Sequence, residues 1–506
     1  MLDVCILVDG SYPYSGGGIA GWVHELVTGL SMLRFGIVHV GVARDMPRES
    51  SVPIPDNVER LVEVFPQEPE AEAGSSPSFV GRLLRTARPE RREAFATLEA
   101  FYDRLLVSGD LAGEEEALHL MAGGAPARLT IEDLLGSREA WDVFVRLYEA
   151  HAPERPYLDS FRTWRAIQTP LLRALRAQVP AAHVYHAVST GYAGLLGTLA
   201  SMRSGAPLIV TESGDPAEAR AMPGLDRATQ EVVRDLFRRA VYRRAAAILT
   251  FTETALRAEV RRGAPAERCR VVPDGLDVTR FAGLRGRGKP TAEKETLLVA
   301  LVAPVLPEKD VKTFLRAAKL LIERLDLVEV IVVGRTDANL AYHRECLLQA
   351  QMLGIDRMVR FPGPVDTREL LAALDCLVLT SSSEGSPVVL LEAMAAGVPA
   401  VATDTGGCRE LLEGRFPEDR ALGASGIVCP VGDHEAIAEA VKRCVRDHAL
   451  RERMVAAGRA RVERYYRRED VHGVHRELYE RLRDGGEHAV RAALEALEPT
   501  LLEASS

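Results

Sequence analysis

The 506-residue chain has no long run of like charge, no zinc-type cysteine spacing and no apolar stretch long enough to cross a bilayer. Each absence excludes something. Its 63 basic and 72 acidic residues leave a net charge of −9 with no basic stripe, which removes the electrostatic footprint of a nucleic-acid binder. Seven cysteines (Cys5, Cys269, Cys346, Cys376, Cys408, Cys429, Cys444) are odd in number, widely spaced and mostly set in apolar runs, as expected of reduced thiols in a core. The opening Met1-Leu2-Asp3 and the short apolar run to Asp9 lack the basic flank and length of a secretory leader. A cytoplasmic location is therefore expected, and any membrane role would need a partner protein. The sequence also lacks an Asp-x-Asp motif for Mg²⁺ or Mn²⁺, a Schiff-base lysine context and any repeat of fixed period. Neither a metal nor an organic cofactor is expected.

What is present describes an ordinary globular protein, with 47% apolar and 27% charged residues. The length exceeds what one core supports, so two domains of about 200 to 280 residues are expected. Short β-branched runs at VCILV (from Val4), IVHVGVA (from Ile37), LIVT (from Leu208) and AAILTFT (from Ala246) alternate with helical patterns. A second set follows at LLVALVA (from Leu297), VEVIVVG (from Val328), DCLVLT (from Asp375) and PAVAT (from Pro399). This alternation predicts an α/β chain of two Rossmann-like domains, each a doubly wound parallel sheet. The expected boundaries are 1–282 for the first domain, 283–295 for a Gly-rich charged linker and 296–462 for the second domain. A helix over about 463–483 crosses back to the first domain, and 484–506 form a tail. Segments such as ERREAFATLEAFYDRLL predict a helical insertion over about 66–180, entered through the polar stretch PQEPEAEAGSSPS.

Three segments carry chemistry. After DCLVLT comes Ser-Ser-Ser-Glu384-Gly-Ser386-Pro387-Val388-Val389-Leu-Leu-Glu392. This reads as strand, turn, then a helix with Ser386 as N-cap and Pro387 as first residue, its amides facing the cleft at the sheet edge. Glu384 and Glu392 lie close enough in this segment to serve one ligand. Gly16-Gly17-Gly18 follow the first strand, where a glycine turn lets backbone approach a diphosphate or an acceptor. Lys309 follows LLVALVA across a short turn, where a cation can neutralise charge growing on a leaving diphosphate.

The E-x7-E spacing from Glu384 to Glu392, followed by AMAAGVPAVATDTGG, resembles the signature of retaining GT-B glycosyltransferases of the family 4 type. The front segment Gly10 to His24, VYHAVSTGYAGLLG (Val184 to Gly197) and KDVKTF (Lys309 to Phe314) are similar to the PelF-like branch, cytosolic transferases of exopolysaccharide synthesis. The resemblance implies a metal-independent hexosyltransferase using a nucleotide-sugar donor, best taken as a UDP-sugar, and a saccharide or other small hydroxyl acceptor. A membrane-bound synthase partner is also implied. By the same resemblance Glu392 holds the donor ribose, Glu384 lies near the anomeric centre, and His186 contacts the transferred sugar through its side chain or its backbone carbonyl. Gly17 and Gly18 are the front binding pair, while the amides around Ser386, Val388 and Val389 face sugar and diphosphate.

Three positions depart from that pattern: Pro304 where Arg is common, Ser213 where His follows the glutamate, and Asp274 where Asn is usual. A nucleotide-sugar-binding regulatory protein and a GT-B sugar-nucleotide epimerase are the competing readings.

Overall fold

Strand β1 (Leu2–Asp9) is apolar at almost every position because both of its faces are covered. Its successive side chains point alternately to two cores: Cys5 and Leu7 to one, Val4, Ile6 and Val8 to the other. The computed structural model describes residues 1–10, 12–14, 18–42, 52–68, 89–213, 222, 224–284, 296–325, 327–490 and 492–495.

With β2 (Phe35–Val40), β3 (Val58–Val64), β4 (Ala182–Val188), β5 (Leu208–Glu212), β6 (Ala247–Thr250) and β7 (Cys269–Val271), β1 forms a parallel sheet in the order β3-β2-β1-β4-β5-β6-β7. Its helices are α1 (Gly18–Gly29), then α2 (Pro89–Ser108), α3 (Glu114–Met121), α4 (Ile131–Gly136), α5 (Arg138–His151) and α6 (Tyr157–Leu175). They are followed by α7 (Tyr192–Ser204), α8 (Arg227–Arg244) and α9 (Glu253–Arg261). Helices α2 to α6 lie between β3 and β4, where helical spacing predicted an insertion. Phe95, Leu98, Phe101, Leu118 and Leu172 join them to the core on one face of this sheet. Most of the polar entry stretch falls on 69–88, outside the described residues.

The second sheet comprises β8 (Leu297–Val302), β9 (Val328–Val333), β10 (Val359–Gly363), β11 (Cys376–Leu379), β12 (Ala400–Thr403) and β13 (Gly426–Cys429), all parallel, in the order β10-β9-β8-β11-β12-β13. Its helices are α10 (Val311–Arg324), α11 (Leu340–Met352), α12 (Thr367–Ala373), α13 (Val388–Ala396), α14 (Cys408–Glu413), α15 (Pro417–Arg420), α16 (His434–Arg446) and α17 (His448–Tyr465). Strand order reverses between β1 and β4 and between β8 and β11. Such reversals open a crevice beyond the strand carboxyl ends, which is where open α/β sheets bind ligands.

The last helix, α18 (Arg468–Gly485), returns to the first sheet and buries Val471, Val474, Leu478, Tyr479 and Leu482 beside α1. Tyr465 and Tyr466 belong instead to the second core, so the expected single crossing helix is two helices broken at Tyr466–Arg467. At the break the chain pairs with the other crossing segment: Leu276 N donates to Tyr466 O at 2.7 Å and Arg468 N to Leu276 O at 3.0 Å. Gly275 permits this approach, since a Cβ there would lie 2.8 Å from Arg468 Cα. Beyond α18 the expected tail is partly core, with Ala493 and Leu494 buried on the first domain. Most of the Gly-rich linker, 285–295, lies outside the described residues. No described helix is long and apolar enough to cross a membrane.

Candidate active site

Lys309 and Glu384, 75 residues apart, meet at the reversal point of the second sheet. Lys309 Nζ donates to Glu384 Oε1 at 2.7 Å, and Ser381 Oγ donates to the same oxygen at 2.6 Å. Local chemistry fixes both loops. Pro307–Lys309 forms one turn of 3-10 helix closed by Asp310 in the left-handed region (φ 41°), whose side chain caps α10 through Thr313 N at 3.2 Å. Thr380, buried at the end of β11, donates to the carbonyls of Lys309 and Asp310, and Ser382 N donates to Glu308 O at 2.8 Å. The side chains of Lys309 and Glu384 are 15% and 8% exposed. A pair that dry needs a close partner for each charge, which each supplies to the other.

The Asp-Thr-Gly-Gly turn after β12 lies on this carboxylate's backbone. Gly406 takes φ 52°, and a Cβ there would collide with Glu384 O; Gly407 N donates to Gly385 O at 2.8 Å. Helix α13 begins one residue later than expected. Pro387 is its N-cap, without a side-chain hydrogen bond, and Ser386 precedes it, so Ser386 is not the cap. Proline's fixed φ suits the cap as well as the first helical position, which is why sequence leaves the boundary open by one residue. Val388 and Val389 open the helix and are half-buried; first-turn amides have no intrahelical acceptor and attract an anion.

Glu392 projects from α13 towards the first domain. Burial pushes its carboxyl up to about 7; Arg280 pulls it down while Glu25 and Asp366 add to the rise. Asp274 is likewise pushed to about 7 by burial and by Glu25, which itself pairs with Arg468 at 2.8 Å. Four carboxyls (Glu392, Glu25, Asp274 and Asp366) and two arginines (Arg280 and Arg468) thus gather where the chain crosses between the sheets.

On the first-domain side, Gly18 opens α1 exposed and with φ 51°, while Gly17 and Gly16 lie outside the described residues. The expected side-chain contact of His186 with the sugar does not fit the structure. The His186 side chain is fully buried between the first sheet and α18, with Nδ1 2.6 Å from Tyr479 Oη and Nε2 2.7 Å from Thr211 Oγ1. Burial and His475 hold its pKa well below the ordinary histidine value. Both ring nitrogens are bonded inside the core, so the imidazole does not face the cleft, and of the two expected routes to the sugar the side chain is removed. Pro304 is exposed beside the end of β9, where Val305 N donates to Arg335 O at 2.9 Å, and Arg335 is itself held by Asp337 at 3.1 Å.

Sequence reasoning missed two features of the cleft. Ser189 adopts φ 125°, costly for a residue with a side chain, and donates to Asp9 Oδ2 at 2.6 Å; Asp9 in turn accepts from Ala193 N at the start of α7. An acid at the end of a first strand was the available signal. Across the cleft, Glu410 of α14 accepts from Glu253 N of α9 at 3.1 and 2.9 Å. Burial pushes the Glu410 carboxyl up to about 7 against the pull of that amide. Among the described residues no group of three or more His, Cys, Asp or Glu side chains is arranged to hold a metal ion.

Comparison with known proteins agrees with this architecture. Residues 286–461 match the family model "Glycosyl transferases group 1", and residues 2–267 match "Domain of unknown function (DUF3492)". Phosphatidyl-myo-inositol mannosyltransferase of Mycobacterium leprae is 32% identical over 199 residues, 38% of this chain and 49% of that protein. D-inositol 3-phosphate glycosyltransferase of Corynebacterium jeikeium is 31% identical over 234 residues, 44% of this chain and 54% of that protein. The chain thus spans about half the length of the curated relatives it matches. Among solved structures, Anabaena Alr3699/HepE in complex with UDP and glucose superposes with TM-score 0.56 at 15% identity, covering 94% of this chain and 99% of that one. Sucrose-phosphate synthase from Thermosynechococcus elongatus gives 0.58 at 17% identity, covering 94% and 98%. The fold is GT-B, and the chain belongs to the DUF3492 family, with a glycosyl transferases group 1 domain as its second half.

Proposed function

We propose that the chain is a retaining glycosyltransferase moving a hexose from a UDP-sugar to a hydroxyl of a saccharide or other small acceptor. The observation that carries this reading is the Lys309–Glu384 pair beside the opening turn of α13, with Glu392 one helical turn further on. The donor diphosphate lies at the start of α13, where the amides around Ser386, Val388 and Val389 and the helix dipole meet its charge. Glu392 accepts the ribose hydroxyls. As the bond from anomeric carbon to phosphate oxygen breaks, positive charge grows on the sugar and negative charge on the phosphate. Glu384 faces the first charge, and Lys309 shifts from Glu384 to the second. The acceptor attacks from the face the nucleotide leaves, and the departing phosphate takes its proton. With Lys309 and a helix terminus at the diphosphate, charge neutralisation needs no divalent cation. Gly18, exposed at the start of α1, meets donor or acceptor from the first domain. Relatives named as mannosyl- and glycosyltransferases, and a fold neighbour holding UDP and glucose, support the reading. The resemblance to PelF-like transferases extends it to cytoplasmic exopolysaccharide synthesis beside a membrane-bound synthase. The test is incubation with a panel of UDP- and GDP-sugars, following nucleotide release and the anomeric configuration of the product by NMR. Transfer with retention is expected from a UDP-sugar. Tight binding with no turnover from any donor would leave a nucleotide-sugar-binding regulator instead, and a new nucleotide sugar formed without acceptor would identify an epimerase.

A further inference from the structure

Helix α9 belongs to the first domain and α14 to the second, yet one hydrogen-bonded contact joins them across the cleft. Thr252 caps α9 by accepting from Ala255 N at 3.1 Å, so its side chain is committed and does not serve the amide of Glu253. That amide has no acceptor inside its own helix. It finds one in the other domain, the carboxylate of Glu410, with both oxygens within 3.1 Å. A negative group at a helix N-terminus is favoured by the dipole as well as by the hydrogen bond. The surroundings are built for close approach. A Cβ on Gly407 would lie 2.5 Å from the methyl group of Thr252, so glycine at 407 is what lets the two domains touch. Arg409 braces the acidic helix, donating to Asp404 before the turn and to Glu413 at its end.

On the other side, the same turn lies against the Glu384 loop through Gly406 and through the hydrogen bond from Gly407 N to Gly385 O. The contacts therefore form one line: α9, Glu410 and Gly407, the backbone of Glu384 and Gly385, then Lys309. We propose that Glu410 is a positioning residue, a clasp whose carboxylate holds the first turn of α9 and so keeps the Gly406-Gly407 turn seated on the Glu384 loop when the domains are closed. Its link to catalysis rests on reading Glu384 as part of the transfer site; the clasp itself does not. Opening the cleft breaks the contact and returns the Glu253 amide and the Glu410 carboxylate to water, so the cleft has a defined shut position.

Spin labels on the full chain test this directly. Leu158→Cys and Met352→Cys place them at exposed positions in the two domains, and the seven native cysteines are buried. The expected result is a narrow interdomain distance in the parent, a longer and broader one with Glu410→Ala, and an intermediate one with Glu410→Gln, whose amide oxygen still accepts. In turnover assays Glu410→Ala should lower kcat by about tenfold with UDP affinity changed less than about threefold, and Glu410→Gln should recover part of the loss. A residue needed only for the stability of the second domain would not produce that split. Superimposable distance distributions in all three proteins overturn the clasp. A parent without turnover would remove the transferase reading and leave the distance result to judge the clasp by itself.

Discussion

Glu392 is under opposing demands: its proposed ligand needs a carboxylate, yet burial and the neighbouring Glu25 push its carboxyl to about 7. Hydroxyls donate to the ionised form, so affinity for a UDP-sugar should climb as pH rises through about 7 and level off above it. UDP-glucose is the suitable probe because its diphosphate does not titrate there. Titration calorimetry between pH 6 and 8.5 should show the climb for the parent and a flat line for Glu392→Gln. Glu392→Ala should weaken binding by about 1.5 to 3 kcal/mol, roughly 10- to 150-fold. Unchanged affinity would remove Glu392 from the site. The pairing of Lys309 with Glu384 was accessible from sequence in part, since each follows a strand whose end can be counted and neighbouring strand ends share one edge. His186 was not. Its hydrogen-bond partner Tyr479 is 293 residues away, and nothing in VYHAV tells which face of which helix will cover it.

At the scale of elements, short β-branched runs marked strands of both sheets, since a parallel strand covered on both faces is apolar throughout, and helical spacing marked the helices between β3 and β4. The break between α17 and α18 escaped that reasoning, since Arg467 and Arg468 continue a helical composition; pairing with Leu276 is what interrupts it. Helix α18 is held by an apolar stripe whose four aliphatic side chains are worth about 1.5 to 3 kcal/mol each in burial. Three histidines sit within or beneath it. His472 and His475 are depressed to about 4 by burial, and His186 lies well below its ordinary value. The unfolded chain binds these protons near pH 6.5 and the folded one does not. Their contribution to stability is therefore complete above about 6.5 and is lost as pH falls from there towards 4. For His475, almost fully buried, the loss is on the order of 3 kcal/mol. Amide exchange should show α18 losing protection between pH 6.5 and 4.5 before α17 does, and His475→Phe should reduce the difference. Parallel loss in both helices would show that the histidines do not control the docking.

The whole molecule consists of two sheets, each cored on both faces, joined by two crossing segments that pair with each other. Cores that separate need not melt together, so two transitions are expected in calorimetry. Lys309, Glu384, the start of α13 and Glu392 all come from the second sheet. The first domain reaches the proposed donor only through closure. UDP should therefore raise the second-domain transition directly, by about 2.7 kcal/mol at a concentration of 100 Kd, and the first-domain transition only as far as closure couples the two. With Lys309 and the α13 amides at the diphosphate, excess EDTA should leave both shifts unchanged and added Mg²⁺ should not enlarge them. If EDTA abolished the shift and Mg²⁺ restored it, the positive charge at the diphosphate would have to come from a bound ion, and Lys309 would return to its observed role as the partner of Glu384. A shift that survives EDTA but is lost in Lys309→Ala would place that charge on the lysine, since the helix terminus alone would then be insufficient.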